Sequence, residues 1–329
     1  MLTDVLTKSK SRLVALVAGA GLAAVGLAAC VTPITPSVVY QQSTFEGFDV
    51  TSYVPENPTG MIYLFHGSGG SGTNFATKVD TVDVLNRFVA EGYGFVSTSS
   101  TERTGDMRWE QGNPSLTTNP DLARLVRLQA HLVATTPLES TTPLAGIGMS
   151  NGSRFVTLWG ETWNDAGYPV EVIWASHGKI AEPVVASGGL TVPTVFSTSV
   201  NDFTSPPFAI AVGYQLTLQA GTPAIYLSSQ EKTLTAPPYL RIPGIDPTEA
   251  NLIVAALKAT GVWNAQGVRV VPNIQVAVNQ ASTALLPASI YADGLANDVS
   301  NATARVLAAH QFTSEFLTQV DAFFGTYIP

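Results

Sequence analysis

The pentapeptide Gly148-Met149-Ser150-Asn151-Gly152 restricts the fold more than any other stretch of this sequence. It closes a compact apolar run, residues 144–149, that reads as a buried strand. It opens a run, residues 153–163, that reads as a helix. A strand that turns straight into a helix brings the two backbones nearly into contact. Only the smallest residues tolerate that approach two positions before and two after the central serine. The serine is then held on a sharp turn, with the positive end of a helix behind it.

The rest of the chain supplies neighbours for such a unit. Residues 48–54 alternate like an early antiparallel strand, and 61–65 (Met-Ile-Tyr-Leu-Phe) form a buried strand that runs into His66-Gly67. Further strands are expected at 93–97, 170–175, 194–198 and 224–228. Helices are expected at 82–91, stopped by Gly92, at 121–133 with Asn119 or Asp121 near its cap, and at 206–219. Strands that alternate with helices imply crossover connections and a mostly parallel sheet. Residues 231–300 leave that rhythm. Asp246-Pro247 starts a helix that runs to Thr260 and stops at Gly261, and the remainder is irregular or weakly helical. This segment reads as an insertion at the sheet edge. It is either a cap over a pocket or a helical layer that enlarges the core, with Leu252, Ile253, Ala256 and Leu257 as its apolar face. A closing helix is expected at 312–324.

The first residues stand apart. Lys8, Lys10 and Arg12 precede an apolar run, 13–26, and the sequence then reads Leu27-Ala28-Ala29-Cys30. A short apolar run after positive charges, ending in small residues, is an export signal rather than a membrane span. The ending resembles the lipobox of bacterial lipoproteins, in which the cysteine is lipidated. The alternative is an ordinary signal peptide with a chance cysteine. Lipidation of Cys30 implies an exported product anchored in the cell envelope. Val31 is not the aspartate associated with inner-membrane retention, so the outer membrane is favoured in a two-membrane cell. Residues 30–43 then read as a tether before one domain, 44–329.

Cys30 is the only cysteine, so no disulfide and no cysteine-based metal site is expected. The 45% hydrophobic content is enough to bury a large core without such staples. The chain carries 24 acidic against 16 basic residues. Loss of the leader makes it more acidic still, which argues against a nucleic-acid partner. No metal-ligand spacing and no phosphate-binding glycine loop is present, and no cofactor is expected.

In the strand-turn-helix setting, Ser150 is the candidate nucleophile, with a purely structural turn as the alternative. His66-Gly67-Ser68-Gly69-Gly70 follows the earlier strand. Its glycines let backbone N–H groups turn toward a developing oxyanion. Ser68 and Asn151 are the candidate donors. Gly69 is a candidate substrate contact, as is Trp109, which lies beyond the strand 93–97 and reads either as a stacking platform or as packing.

The two motifs resemble those of the α/β-hydrolase superfamily. They are most similar to the secreted esterase branch that holds polyhydroxyalkanoate depolymerases and feruloyl esterases. That branch usually has a second glycine after the elbow, where this chain has Ser153. The resemblance implies an α/β-hydrolase fold and a chain order of serine, acid, histidine. His310, before the closing helix, is where it places the general base. His177 is the alternative base or a pocket-lining residue, while His66 and His131 read as structural. Asp202, after the strand 194–198, is the implied acid. A surface turn is its bland alternative, and Glu182 and Asp165 are distant substitutes. Together these imply an enzyme that cleaves a carboxylic ester substrate through an acyl-enzyme. A peptidase, an acyltransferase or a non-catalytic surface lipoprotein are the alternatives.

Overall fold

Strands that are apolar at every position must be covered on both faces. The computed structural model describes residues 31–328. Its sheet has eight strands: β1 (Gln41–Phe45), β2 (Phe48–Tyr53), β3 (Met61–Phe65), β4 (Gly94–Thr98), β5 (Leu144–Met149), β6 (Val170–Ser176), β7 (Thr194–Ser199) and β8 (Ala224–Ser229). Their order is β1-β2-β4-β3-β5-β6-β7-β8. β2 pairs antiparallel with both β1 and β4, and every other pair is parallel. Phe65 at the end of β3 lies in register with Gly148 near the end of β5. The loop after β3 and the turn after β5 therefore leave the sheet side by side.

The described helices are α1 (Gly72–Ala76), α2 (Val79–Ala90), α3 (Pro120–Thr135), α4 (Asn151–Asp165), α5 (Glu182–Ala186) and α6 (Pro207–Gln219). They continue with α7 (Pro237–Leu240), α8 (Pro247–Ala259), α9 (Ile274–Ala281), α10 (Ala288–Ala292), α11 (Ala296–Val306) and α12 (Leu317–Tyr327). Alternation along the strands divides the interior. Met61, Tyr63 and Phe65 pack with Leu122, Leu125, Phe155 and Trp159 of α3 and α4. Ile62 and Leu64 pack on the opposite face with Phe88 of α2 and with Val320 and Phe324 of α12. A third core gathers Tyr239, Ile253, Leu257, Trp263, Ile290 and Val299 from the region after β8, and touches α2 through Val79.

That third core explains why residues 231–300 break the strand-helix rhythm: they bury apolar surface among themselves. The Asp246 cap forms as its sequence implies. Its carboxylate accepts from Glu249 N–H at 2.8 Å, and Glu249 accepts in return from Asp246 N–H at 3.4 Å. The apolar face of α8 differs from expectation. Ala250, Ile253 and Leu257 are its buried residues, whereas Leu252 points to solvent at 51% exposure.

Three other expectations are corrected. The segment read as a tether is partly structured, because β1 starts at Gln41 and pairs with β2. Ile34 N–H already donates to Arg241 O, and Ser37 N–H to Asn86 Oδ1. The closing helix starts at Leu317 rather than at Phe312. Phe312 and Phe316 are buried from a loop, so their apolarity imitated a helix pattern. The irregular or weakly helical remainder of the insertion contains four helices, α7 and α9 to α11, the last of which runs on to Val306. The leader and Cys30 lie outside the described residues. Among those residues, no helix is long and apolar enough to cross a membrane.

Candidate active site

The turn at Ser150 is built by exclusion. A Cβ on Gly148 would stand 2.1 Å from Gly152 O, and one on Gly152 would stand 2.1 Å from Phe65 O. No side chain fits at either place, so the β5–α4 connection closes as tightly as backbone allows. Ser150 takes up the strain with φ 58° and ψ −115°, a conformation that non-glycine residues rarely adopt. Its N–H donates to Ser176 O at 2.8 Å, which ties the turn to β6. Ser153, the departure from the resembled pattern, is buried and donates to Gly178 O at 3.2 Å. The extra side chain is thus accommodated where its neighbour has none.

The candidate acid and the candidate base meet from distant parts of the chain. His310 Nδ1 lies 2.8 Å from Asp202 Oδ2. The other carboxylate oxygen, Oδ1, accepts from the N–H groups of Thr204 at 2.9 Å and Ser205 at 2.7 Å. Asp202 is thereby fixed as an acceptor and its side chain is fully buried. That leaves Nε2 of His310 for a partner in the cavity. Asn201 doubles the link: its N–H donates to Ala308 O at 3.0 Å and its side-chain amide to Leu307 O at 2.8 Å. This clamp holds the strained turn at Ala308, φ 48°, just before the histidine. Asn201 was not singled out from sequence. Its only signal was adjacency to Asp202.

Ser150, His310, Ser68 and His66 line one cavity of about 360 Å³, with Met149 and Phe75 on its apolar wall. The Ser150 and His310 side chains face this space without a direct hydrogen bond, a contact that in many hydrolases tightens only around substrate. Among the described residues, the N–H groups of Ser68 and Asn151 have no hydrogen-bond acceptor. Asn151 is the first residue of α4, so its N–H is one of the unsatisfied donors of a helix start. Its side chain is held away by Trp109, whose N–H donates to Asn151 Oδ1 at 2.8 Å.

Of the remaining candidates only His66 borders this cavity. Trp109 is 2% exposed, stacked on Phe155 at 4.7 Å, with its indole N–H on His66 O at 3.0 Å. It supports the loop after β3, which is the packing alternative of its two readings and not the stacking platform. Gly69 does not line the cavity, and its N–H is engaged by Asp106 O at 2.7 Å. His177 is fully buried between the hydroxyls of Ser176 and Ser199, each at 2.8 Å, and its ring meets that of His310 edge-on at 5.7 Å. Burial, with the nearby His310, holds it far below the usual histidine range, at about 3, against a smaller opposing pull from Asp202. It stays neutral and buttresses the His310 ring. His66 accepts from Ser100 N–H at 3.0 Å and contacts Gly67 O at 2.7 Å. Burial pushes it down to about 4, so it too is a neutral structural ring. His131 sits on the surface of α3 against Phe45. Glu182 pairs with Arg154, and neither Glu182 nor Asp165 lines the cavity. Among the described residues, no cluster of three or more His, Cys, Asp or Glu could hold a metal. No residue between 231 and 300 lines the cavity either.

A mostly parallel sheet with an antiparallel start, a strained serine between β5 and α4, an acid after β7 and a histidine before the last helix together define an α/β-hydrolase fold. No family model matches the sequence, and no curated protein is detectably similar to it. Among solved structures, a carboxylesterase from Mesorhizobium loti is similar at 16% identity and a TM-score of 0.43, covering 67% of this chain and 98% of that one. An acetyl xylan esterase from Aspergillus awamori is similar at 11% identity and a TM-score of 0.44, covering 58% and 93%. A ferulic acid esterase is similar at 13% identity and a TM-score of 0.45, covering 60% and 90%. These likenesses are slight, and the fold rests on the strand order and the elbow.

Proposed function

We propose that this chain is a serine hydrolase that cleaves carboxylic esters through an acyl-enzyme. The observation that carries the reading is the convergence in one cavity of a strained serine, the unengaged N–H of Ser68 and a histidine bound to a buried, twice-anchored aspartate, with the unengaged N–H of Asn151 next in the chain to the serine. Ser150 Oγ attacks the ester carbonyl carbon while His310 Nε2 takes its proton. The Asp202 carboxylate holds Nδ1 protonated and steadies the imidazolium. The carbonyl oxygen becomes an oxyanion against the N–H groups of Ser68 and Asn151. His310 returns the proton to the leaving alcohol, and the same steps with water release the acid. The motifs further favour the secreted esterase branch that they resemble, and Leu27-Ala28-Ala29-Cys30 favours a lipid-anchored envelope protein.

Hydrolysis of 4-nitrophenyl esters of increasing acyl length tests the reading. The wild type should turn over at least part of the series. Ser150→Ala should lower turnover by about 10⁶-fold with an unchanged circular dichroism spectrum. Retention of more than a few per cent of the activity by purified Ser150→Ala protein would overturn the assignment.

A further inference from the structure

The chain is net negative, at −8, yet its catalytic cavity has the opposite character. Lys78 and Arg108 line it, and no carboxylate does. The two cations are not equivalent. Arg108 is more than half exposed and already paired with Asp106 at 2.9 Å. Lys78 is half-buried, and among the described residues its ammonium has neither a hydrogen-bond acceptor nor a carboxylate within ion-pair distance. It caps the start of α2 through its backbone alone, so its side chain is not needed there.

A half-buried ammonium without a carboxylate partner is poorly compensated, and an anion brought against it there is held more strongly than in bulk water. Burial pushes the Lys78 ammonium below the usual lysine range. Asp298 opposes that from beyond contact, and Arg305 reinforces it. Asp80, Asp298 and Arg305 lie with Lys78 around a second, smaller pocket, where Arg305 is paired with Asp80. The local carboxylate charge is therefore shared with a second cation. What would complete the lysine is an anion delivered into the cavity.

We infer that the substrate is an ester that carries a second, free carboxylate near its scissile bond, and that Lys78 is the counter-ion that selects it. This rests on the ester-hydrolase reading above and adds the substrate class. A carboxylate on a charged donor forms one of the stronger hydrogen bonds available in a binding site. The cavity of about 360 Å³ has room for such a group beside the reacting carbonyl.

Two matched pairs of esters test it. One pair is mono-4-nitrophenyl glutarate and its methyl ester, with the free charge on the acyl side. The other is 4-acetoxybenzoate and its methyl ester, with the charge on the alcohol side. The wild type should show the higher kcat/KM for the anionic member of at least one pair, with the difference mainly in KM and shrinking as salt is added. In Lys78→Met and Lys78→Gln that preference should fall by roughly tenfold or more, and Lys78→Arg should restore most of it. A thermal melt of each variant confirms that it is folded. A wild type that favours the neutral ester in both pairs would overturn the inference and leave the hydrolase reading standing. So would a preference that the Lys78 variants leave unchanged. Absence of turnover on all four esters and on the 4-nitrophenyl series would overturn the hydrolase reading, and this inference with it.

Discussion

The serine and the histidine of this site are held by different physics. Ser150 is positioned mainly by steric exclusion: two glycines that admit no Cβ, one backbone bond to Ser176 O, and a helix that begins at once. His310 is positioned by polar bonds drawn from across the chain. Asp202 and Asn201 reach it over more than a hundred residues. Ser314, four residues beyond it, is bonded to Asp80 and Asp83 at the start of α2. Those same carboxylates receive Arg241 and Arg305 from the helical region after β8. The insertion therefore does not cover the cavity. It anchors the loop that carries His310. A sterically built element breaks when volume is added, and a polar one breaks when a partner is removed.

The largest effect expected from probing this contrast is on the histidine itself. His310→Ala should lower turnover on a good ester by about 10⁶-fold, comparable to loss of the serine. His177→Gln, which alters only the neutral ring behind it, should cost far less. Steady-state rates of the two variants on one substrate check this, and a reversed order would reassign the base.

The polar anchor comes next. Arg305→Met leaves Asp80 with one partner fewer in a buried network, and breaking such a pair costs about 3–5 kcal/mol. Urea unfolding should show that loss. Activity should fall in the variant even where it remains folded, because the His310 loop slackens while the elbow is untouched. The matching test of the steric side is Gly152→Ala. Overpacking against Phe65 O should cost about 3 kcal/mol or more, since rigid backbone cannot yield as a side chain would.

The smallest effect is a dependence on pH. His66 and His177 stay neutral in the folded protein, at about 4 and about 3, while in the unfolded chain a histidine titrates near 6.5. Below about pH 6.5 the unfolded chain therefore binds more protons than the folded one. Stability should fall as the pH drops from about 6.5 toward 4, by up to about 1.4 kcal/mol per pH unit for each ring. In His177→Gln one ring's share of that slope should vanish when urea unfolding is measured at pH 7 and pH 5.

The same contrast decides what could be read from the sequence. β3 and β5 were legible to the residue because fully apolar five- and six-residue runs have few other uses. The elbow was legible because exclusion of a Cβ appears as glycine. β1 was missed because Gln41, Gln42, Ser43 and Thr44 form an exposed edge without alternation. Helices α9 to α11 were legible only as a weakly helical stretch without bounds because they are short and gain their stability from one another. Asn201 and Lys78 left no pattern, since a bond between residues a hundred positions apart has no local spacing. Trp109 stayed open between platform and packing because an aromatic residue in a loop looks the same in sequence whether it faces substrate or Phe155.

Labelling with a serine-reactive phosphonate tests the central claim most directly. Wild-type protein should gain one covalent adduct, and mass spectrometry of its peptides should place it on Ser150. His310→Ala should label far more slowly and Ser150→Ala not at all. A folded wild type that remains unlabelled, or an adduct on any other residue, would contradict the assignment of Ser150 as an activated nucleophile.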